Sequence, residues 1–147
     1  MKYIQKVIVK IEKCGRINIE SKVASPEDFA KIIYKYLENS DREYLGVACL
    51  NTKNNIINIS TVSIGTLNSS LFHPREVFKV AIASNANSII TFHNHPSGDI
   101  TPSQADYEMS NRIKESGKIL GIEMLDNIII GSEPINGFTS FKQKGLI

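Results

Sequence analysis

The sequence predicts an α/β domain, one mixed β-sheet with helices packed on its faces. Short β-prone runs are interleaved with longer runs of helical periodicity, in the order β, α, ββ, α, β, α, ββ, which is no strict βαβ repeat and so calls for a mixed sheet. Two of the β-prone runs are joined by a hairpin signal. Each helical run opens on a start signal with proline at its first position. The 147 residues are enough for one domain, and 41% hydrophobic and 22% charged residues are near globular averages.

Lys2 to Lys13 alternates, with Val7, Val9 and Ile11 among polar residues, and reads as a strand followed by a turn at Gly15 and a short extended return through Ile17 and Ile19. Residues 1–24 are therefore expected to be an N-terminal strand extension of a single domain spanning 1–147. Ser25-Pro26-Glu27-Asp28 starts the first helix: serine as N-cap, proline at the first position, acids in the first turn. Phe29, Ile32, Ile33, Tyr36 and Leu37 line one face of it, and its end is expected near Asn39. Tyr44–Leu50 and Ile56–Ile64 are strands separated by Asn51 to Asn55, asparagine tolerating the left-handed conformations of a tight turn.

His73-Pro74-Arg75-Glu76 opens a second helix carrying Val77, Phe78, Val80, Ala81 and Ile82. Ser88–Phe92 is a short apolar strand. Thr101-Pro102-Ser103-Gln104 reads as a capping box, predicting a third helix from Pro102 to about Ser116, stopped by Gly117. Ile122–Ile130 is a buried strand and Phe138–Phe141 a last short one.

Composition excludes several classes of function. Net charge is +2, with basic residues scattered. A nucleic-acid footprint would need a basic stripe, so direct nucleic-acid binding is not expected; Lys142 to Lys144 is read as a solvated tail. No apolar run reaches the roughly 18 residues of a membrane span. Met1 leads straight into the alternating segment, without the apolar run and cleavage site of a secretory signal. Cys14 and Cys49 form neither a CxxC pair nor a disulfide framework. Free thiols and a cytoplasmic address are expected, and oligomeric state is not readable.

The chemistry lies in His93-Asn94-His95. Alone, a His-x-His is more often surface decoration than a metal pair. Here it ends a strand, where residues two apart face the same way, and it precedes a Gly/Pro/Ser loop and a capped helix bearing Ser103 and Asp106 on one face. Asp106 is the third candidate ligand. Two imidazoles and one carboxylate suit Zn²⁺ with one position open for water; they leave the site at net charge +1, which acidifies that water and polarises a carbonyl. Hydrolysis by a metal-activated water is the chemistry implied. Other zinc patterns are absent: Ser97 and Gly98 stand where a metallo-β-lactamase needs Asp and His, and neither Pro-Cys-x-x-Cys nor His-Glu-x-x-His occurs.

His93-x-His95-Pro96 followed after six residues by Ser103, then Asp106, resembles the signature of JAMM (JAB1/MPN/Mov34) zinc metalloproteases. His93-Asn94-His95-Pro96-Ser97-Gly98-Asp99 with Thr101-Pro102-Ser103 is similar to their RadC-like bacterial branch. Supporting matches are Ser63 to Asn68, His73 to Phe78, and Leu120-Gly121-Ile122 through Leu125-Asp126 to Ile130-Gly131. The resemblance implies a deaminase-like three-layer sandwich, one Zn²⁺, and cleavage of a peptide or isopeptide amide in a peptide or protein substrate. It assigns Glu43, just ahead of the hairpin's first strand, as general base, with Glu76 as rival. It assigns Ser103 as donor to the tetrahedral oxyanion.

Asn94 and Asp99 are expected to organise the loop or orient an imidazole, and His73 to be a cap or surface residue. The family's usual His after the aspartate of the Leu-Asp-x-Ile-Ile-Ile-Gly strand is replaced by Asn127. The helix-hairpin-helix segment common ahead of this domain has no counterpart in the first 24 residues. The other reading of the resemblance is a repair- or mobile-element-associated accessory protein with a vestigial zinc site.

Overall fold

The computed structural model describes residues 1–19, 23–65, 73–132 and 137–147. Its elements are α1 (Pro26–Tyr36), β1 (Tyr44–Leu50), β2 (Ile56–Ile64), α2 (Pro74–Ala83), β3 (Ser88–Asn94), α3 (Gln104–Leu120), β4 (Glu123–Ile130) and β5 (Phe138–Ser140). They form a five-stranded sheet in the order β2-β1-β3-β4-β5. β3 and β4 run parallel, joined by α3 as crossover, and the other pairs are antiparallel.

Alternation of side chains divides the core in two. Leu45, Val47, Cys49 and Ile89 pack with α2 and α3 residues such as Phe78, Met109 and Ile113. Ala48 and Phe92 pack with Phe29, Ala30 and Ile33 of α1 on the opposite face. Helices therefore cover both faces, and the mixed sheet and three layers are as expected. Entering and along β4, however, Ile122 (just ahead of the strand) and Met124 belong to the first cluster, while Ile128 and Ile130, at the same parity, belong to the second. A register shift between Ile89 and Ile90 of β3 passes over Leu125 and reverses the alternation.

The hairpin forms as its asparagines suggest. Asn51 Oδ1 accepts from the N–H groups of Lys53 and Asn55, and Asn54 sits at φ 58°. Ser25 caps α1 by accepting from Asp28 N–H; the helix closes at Tyr36, and Asn39, at φ 66°, completes the turn after it. The loop from Thr66 to Phe72 lies outside the described residues. Gly46 is buried: a Cβ there would lie 2.2 Å from the Phe92 ring. That absence of a side chain seats Phe92 against Phe29 and Tyr36.

Three expectations are corrected. Residues 1–19 carry no regular secondary structure, so the N-terminal strand and its return are absent; Tyr3, Ile4, Val7, Ile8 and Val9 are all more than 75% exposed. An alternating sequence becomes a strand only when an edge pairs with it, and neither β2 nor β5 does. Second, α3 starts two residues late. Its N-cap is Ser103, and the box is closed by Asp106. Third, Gly117 does not end the helix, which runs to Leu120 and stops at Gly121 in the left-handed region, φ 71°. Among the described residues no helix is long and apolar enough to cross a membrane.

Gly117 is instead a close-approach residue, since a Cβ would lie 2.3 Å from the Ile122 carbonyl oxygen. Alanine ordinarily stabilises a helix interior by up to about 1 kcal/mol over glycine. Here the steric cost prevails, and Gly117→Ala is expected to lose about 1–3 kcal/mol in urea unfolding. A neutral or stabilised variant would show that the α3–β4 turn relaxes freely.

Candidate metal centre

The centre sits where the C-terminal ends of β3 and β4 meet the N-terminus of α3. His93 is in β3, fully buried, on the face covered by α2 and α3. His95 lies just past the strand, its N–H bonded to the Ile130 carbonyl at 2.8 Å, so that the parallel pairing with β4 carries on to it. The tight turn Gly98 N–H to His95 carbonyl, 3.0 Å with Gly98 at φ 85°, brings the chain back over the imidazole. There the Asp99 carbonyl accepts from His95 Nδ1 at 2.6 Å.

Asp106 meets both rings. Its Oδ1 is 3.1 Å from His93 Nε2, its Oδ2 is 3.3 Å from His95 Nε2, and the two Nε2 atoms are 3.2 Å apart. The same carboxylate closes the α3 cap: Ser103 N–H donates to Oδ2 at 2.8 Å, while Asp106 N–H donates to Ser103 Oγ at 3.1 Å. Burial opposes ionisation of Asp106. Hydrogen bonds from both imidazoles, the His93 charge and the Ser103 N–H outweigh it and hold the carboxyl far below the usual carboxylate range. His95 is raised above its ordinary value, first by its hydrogen bond to Asp106, against burial, then by the Asp99 carbonyl and the charges of Asp106 and Glu43.

The donor set fits a small divalent ion. Four-coordinate bonds of about 2.0–2.1 Å place neighbouring ligand atoms roughly 3.3 Å apart, close to the 3.1–3.3 Å found. The Asp99 carbonyl assigns the neutral His95 an Nδ1–H tautomer, so its Nε2 lone pair points at an anionic oxygen and another ring nitrogen. Such a set of acceptors needs a proton or a cation between them. His93, His95 and Asp106 can thus hold a metal ion.

Glu43 immediately precedes β1, half-buried. β1 pairs antiparallel with β3, Leu45 opposite His93, and continuing that register brings Glu43 across from His95. Asn94, between the two histidines, points to the other face and grips the backbone on either side of Glu43: its Oδ1 accepts from Tyr44 N–H at 2.7 Å and its Nδ2 donates to the Arg42 carbonyl at 3.0 Å. Glu76 is elsewhere engaged, 3.2 Å from Lys79 at the exposed start of α2. His73 occupies the N-cap position of α2 without a side-chain cap bond.

Asp99 organises the loop with its carboxylate, which accepts from Thr101 N–H, and orients His95 with its carbonyl. Asn127 accepts from the Thr91 hydroxyl at 3.0 Å beneath His93. Ser110 was not anticipated. It lies one turn after Asp106 on the same helix face, and its Oγ, with His93 Nδ1 and Asn127 Nδ2, is buried without a hydrogen-bond partner among the described residues. The i, i+4 spacing from Asp106 was the available signal.

Two imidazoles from the end of β3, with β4 running parallel beside it, and the carboxylate that caps α3 thus form a group that could hold a metal ion. The chain belongs to the RadC-like JAB domain family, whose profile matches residues 23–146. It is similar to UPF0758 proteins of Desulforamulus reducens (52% identical over 125 residues, 85% of this chain and 54% of the relative), Clostridium beijerinckii (49% over 131 residues, 89% and 56%) and Desulfitobacterium hafniense (48% over 125 residues, 85% and 54%). The chain spans about half the length of these curated relatives.

Metal affinity should fall steadily as pH drops from 8 to 5.5, because ligands must be deprotonated to bind. With His95 raised, imidazolium persists above its ordinary pKa, so the loss should already be under way above pH 6.5. Co²⁺ binding isotherms across this range test it, and an affinity flat between pH 6.5 and 7.5 would contradict the proton competition.

Proposed function

We propose that this domain is a zinc-dependent metallopeptidase hydrolysing a peptide or isopeptide amide in a peptide or protein substrate. One observation carries the reading: three ligand atoms converge within 3.1–3.3 Å, while the backbone on either side of Glu43, just ahead of β1 and across from His95, is fastened by Asn94. Zn²⁺ suits two imidazoles and a carboxylate with one position open, and bound there would supply Lewis acidity toward the scissile carbonyl and the attacking water. Glu43 takes a proton from that water as its oxygen bonds to the carbonyl carbon. It then delivers the proton to the amine nitrogen as the C–N bond breaks.

Ser103 is the proposed oxyanion donor. Its Oγ already accepts from Asp106 N–H, leaving the hydroxyl hydrogen to donate outward from the exposed start of α3. A reducing cytoplasm suits the chain, because Cys14 and Cys49 are free thiols and burial pushes Cys49 up to about 11, keeping it protonated.

One equivalent of zinc should copurify, and His95→Ala should abolish it; metal-free protein with all three ligands intact would end the proposal. Glu43→Gln should retain zinc yet lose roughly 100- to 10,000-fold in turnover of a mixed peptide and isopeptide library read by mass spectrometry. Undiminished cleavage would move the base to another residue.

Ser103→Ala should cost roughly 100- to 1,000-fold in turnover and about 1 kcal/mol of stability through the lost cap. Asn94→Ala should keep zinc and reduce turnover only while Glu43 is present. An equal fractional loss in the Glu43→Gln background would show that Asn94 acts independently of Glu43.

A further inference from the structure

Six large hydrophobic side chains stand exposed within nine consecutive residues: Tyr3, Ile4, Val7, Ile8, Val9 and Ile11, at 40–98% exposure. Single exposed apolar residues are ordinary, whereas a contiguous set marks an interaction surface. The composition of the segment, β-branched and aromatic, favours an extended strand. It leaves the domain beside α1, where Lys35 Nζ donates to the Asn18 carbonyl at 2.9 Å, and joins neither edge of its own sheet.

Among the described residues, no strand pairs with the outer edge of the sheet at β2. β2, at the end of the strand order, is nine residues long, Ile56–Ile64, and contains no lysine, proline or charge. Natural edge strands are usually blunted by such residues or by brevity. β5, the opposite edge, has only three residues. Ile57 and Ile64 of β2 are themselves exposed, at 44% and 58%.

We propose that residues 3–11 form an arm that adds as a strand to the β2 edge of a second copy of this chain, whose own arm returns the exchange. Both halves of the contact belong to one sequence and match in length, so a reciprocal exchange closes with twofold symmetry and satisfies both. Charge favours this pairing over arm against arm. The arm carries Lys6 and Lys10 and no acid; these would face one another in an arm–arm ladder but meet a neutral strand on β2. If about half of the arm's apolar surface is covered and a matching area hidden on the edge, two exchanges bury roughly 1,600 Å², the size of a stable interface. The inference is independent of the hydrolytic reading, since neither arm nor edge includes a residue of the metal centre.

Sedimentation of the full chain at about 20 μM should give a dimer. Deleting residues 2–13, which touches none of the helices or strands, should give a monomer with unchanged metal affinity. Val7→Pro, which removes a ladder N–H, should weaken the dimer at least tenfold. Hydrogen exchange should show the β2 amides protected in the full chain and released in the deletion variant. A monomeric full chain, a deletion variant that stays dimeric, or β2 amides that exchange alike in both would overturn the proposal.

Discussion

The interaction on which the rest depends is the Asp106 carboxylate. It closes the cap of α3 through Ser103 N–H and meets both imidazoles with its two oxygens. The start of the helix and the position of the metal site are therefore one constraint. Moving the cap by even one residue would rotate the ligand about 100° around the helix and away from β3. A capping residue is also held by backbone geometry rather than by packing alone, which gives a buried carboxylate the definite orientation a ligand needs.

The second constraint is the two-residue period of β3. His93 and His95 share one direction and Asn94 takes the other, so three consecutive residues build the site and fasten β1 to it. Asn94 has to do this with both ends of its carboxamide, one accepting and one donating, which neither aspartate nor leucine could reproduce. The bulge at Leu125 extends the same logic to β4. By reversing the alternation it turns Asn127 toward Thr91, below His93, while Ile128 and Ile130 still fill the α1 layer. The polar floor under the metal centre and the apolar core across the sheet are both supplied by one strand.

Most of the fold was legible because its signals are local. The Ser25-Pro26 start, the Asn51–Asn55 turn and the apolar, β-branched runs of β1 and β2 each fix geometry within a few residues, as did the His-x-His pair. The errors arose where a distant partner decides. Thr101 and Ser103 are both acceptable caps in the sequence; the Asp106 carboxylate, held by the histidines, selects Ser103. Gly117 looks like a stop signal until the Ile122 carbonyl is seen against it. The arm has a strand's pattern without an edge in its own chain to pair with. For Glu43, the resemblance named the residue, but the Asn94 bonds that fasten it could be seen only across the β1–β3 register.

The placement at a helix N-terminus raises an electrostatic conflict. The start of α3 carries the equivalent of roughly half a positive charge, which disfavours a cation but favours an anion. Asp106 resolves it by sitting between the two: its carboxylate consumes the Ser103 N–H and interposes a full negative charge ahead of the helix end. What remains of the helix field points past the carboxylate toward the exposed Ser103 hydroxyl, on the solvent side of the site. Negative charge developing on a carbonyl oxygen there would be met by that hydroxyl and by the helix terminus at once, with no reorganisation of the chain. On the proposed hydrolytic reading, the dipole that would weaken a metal site built on water alone would, behind a capping carboxylate, act in favour of the oxyanion.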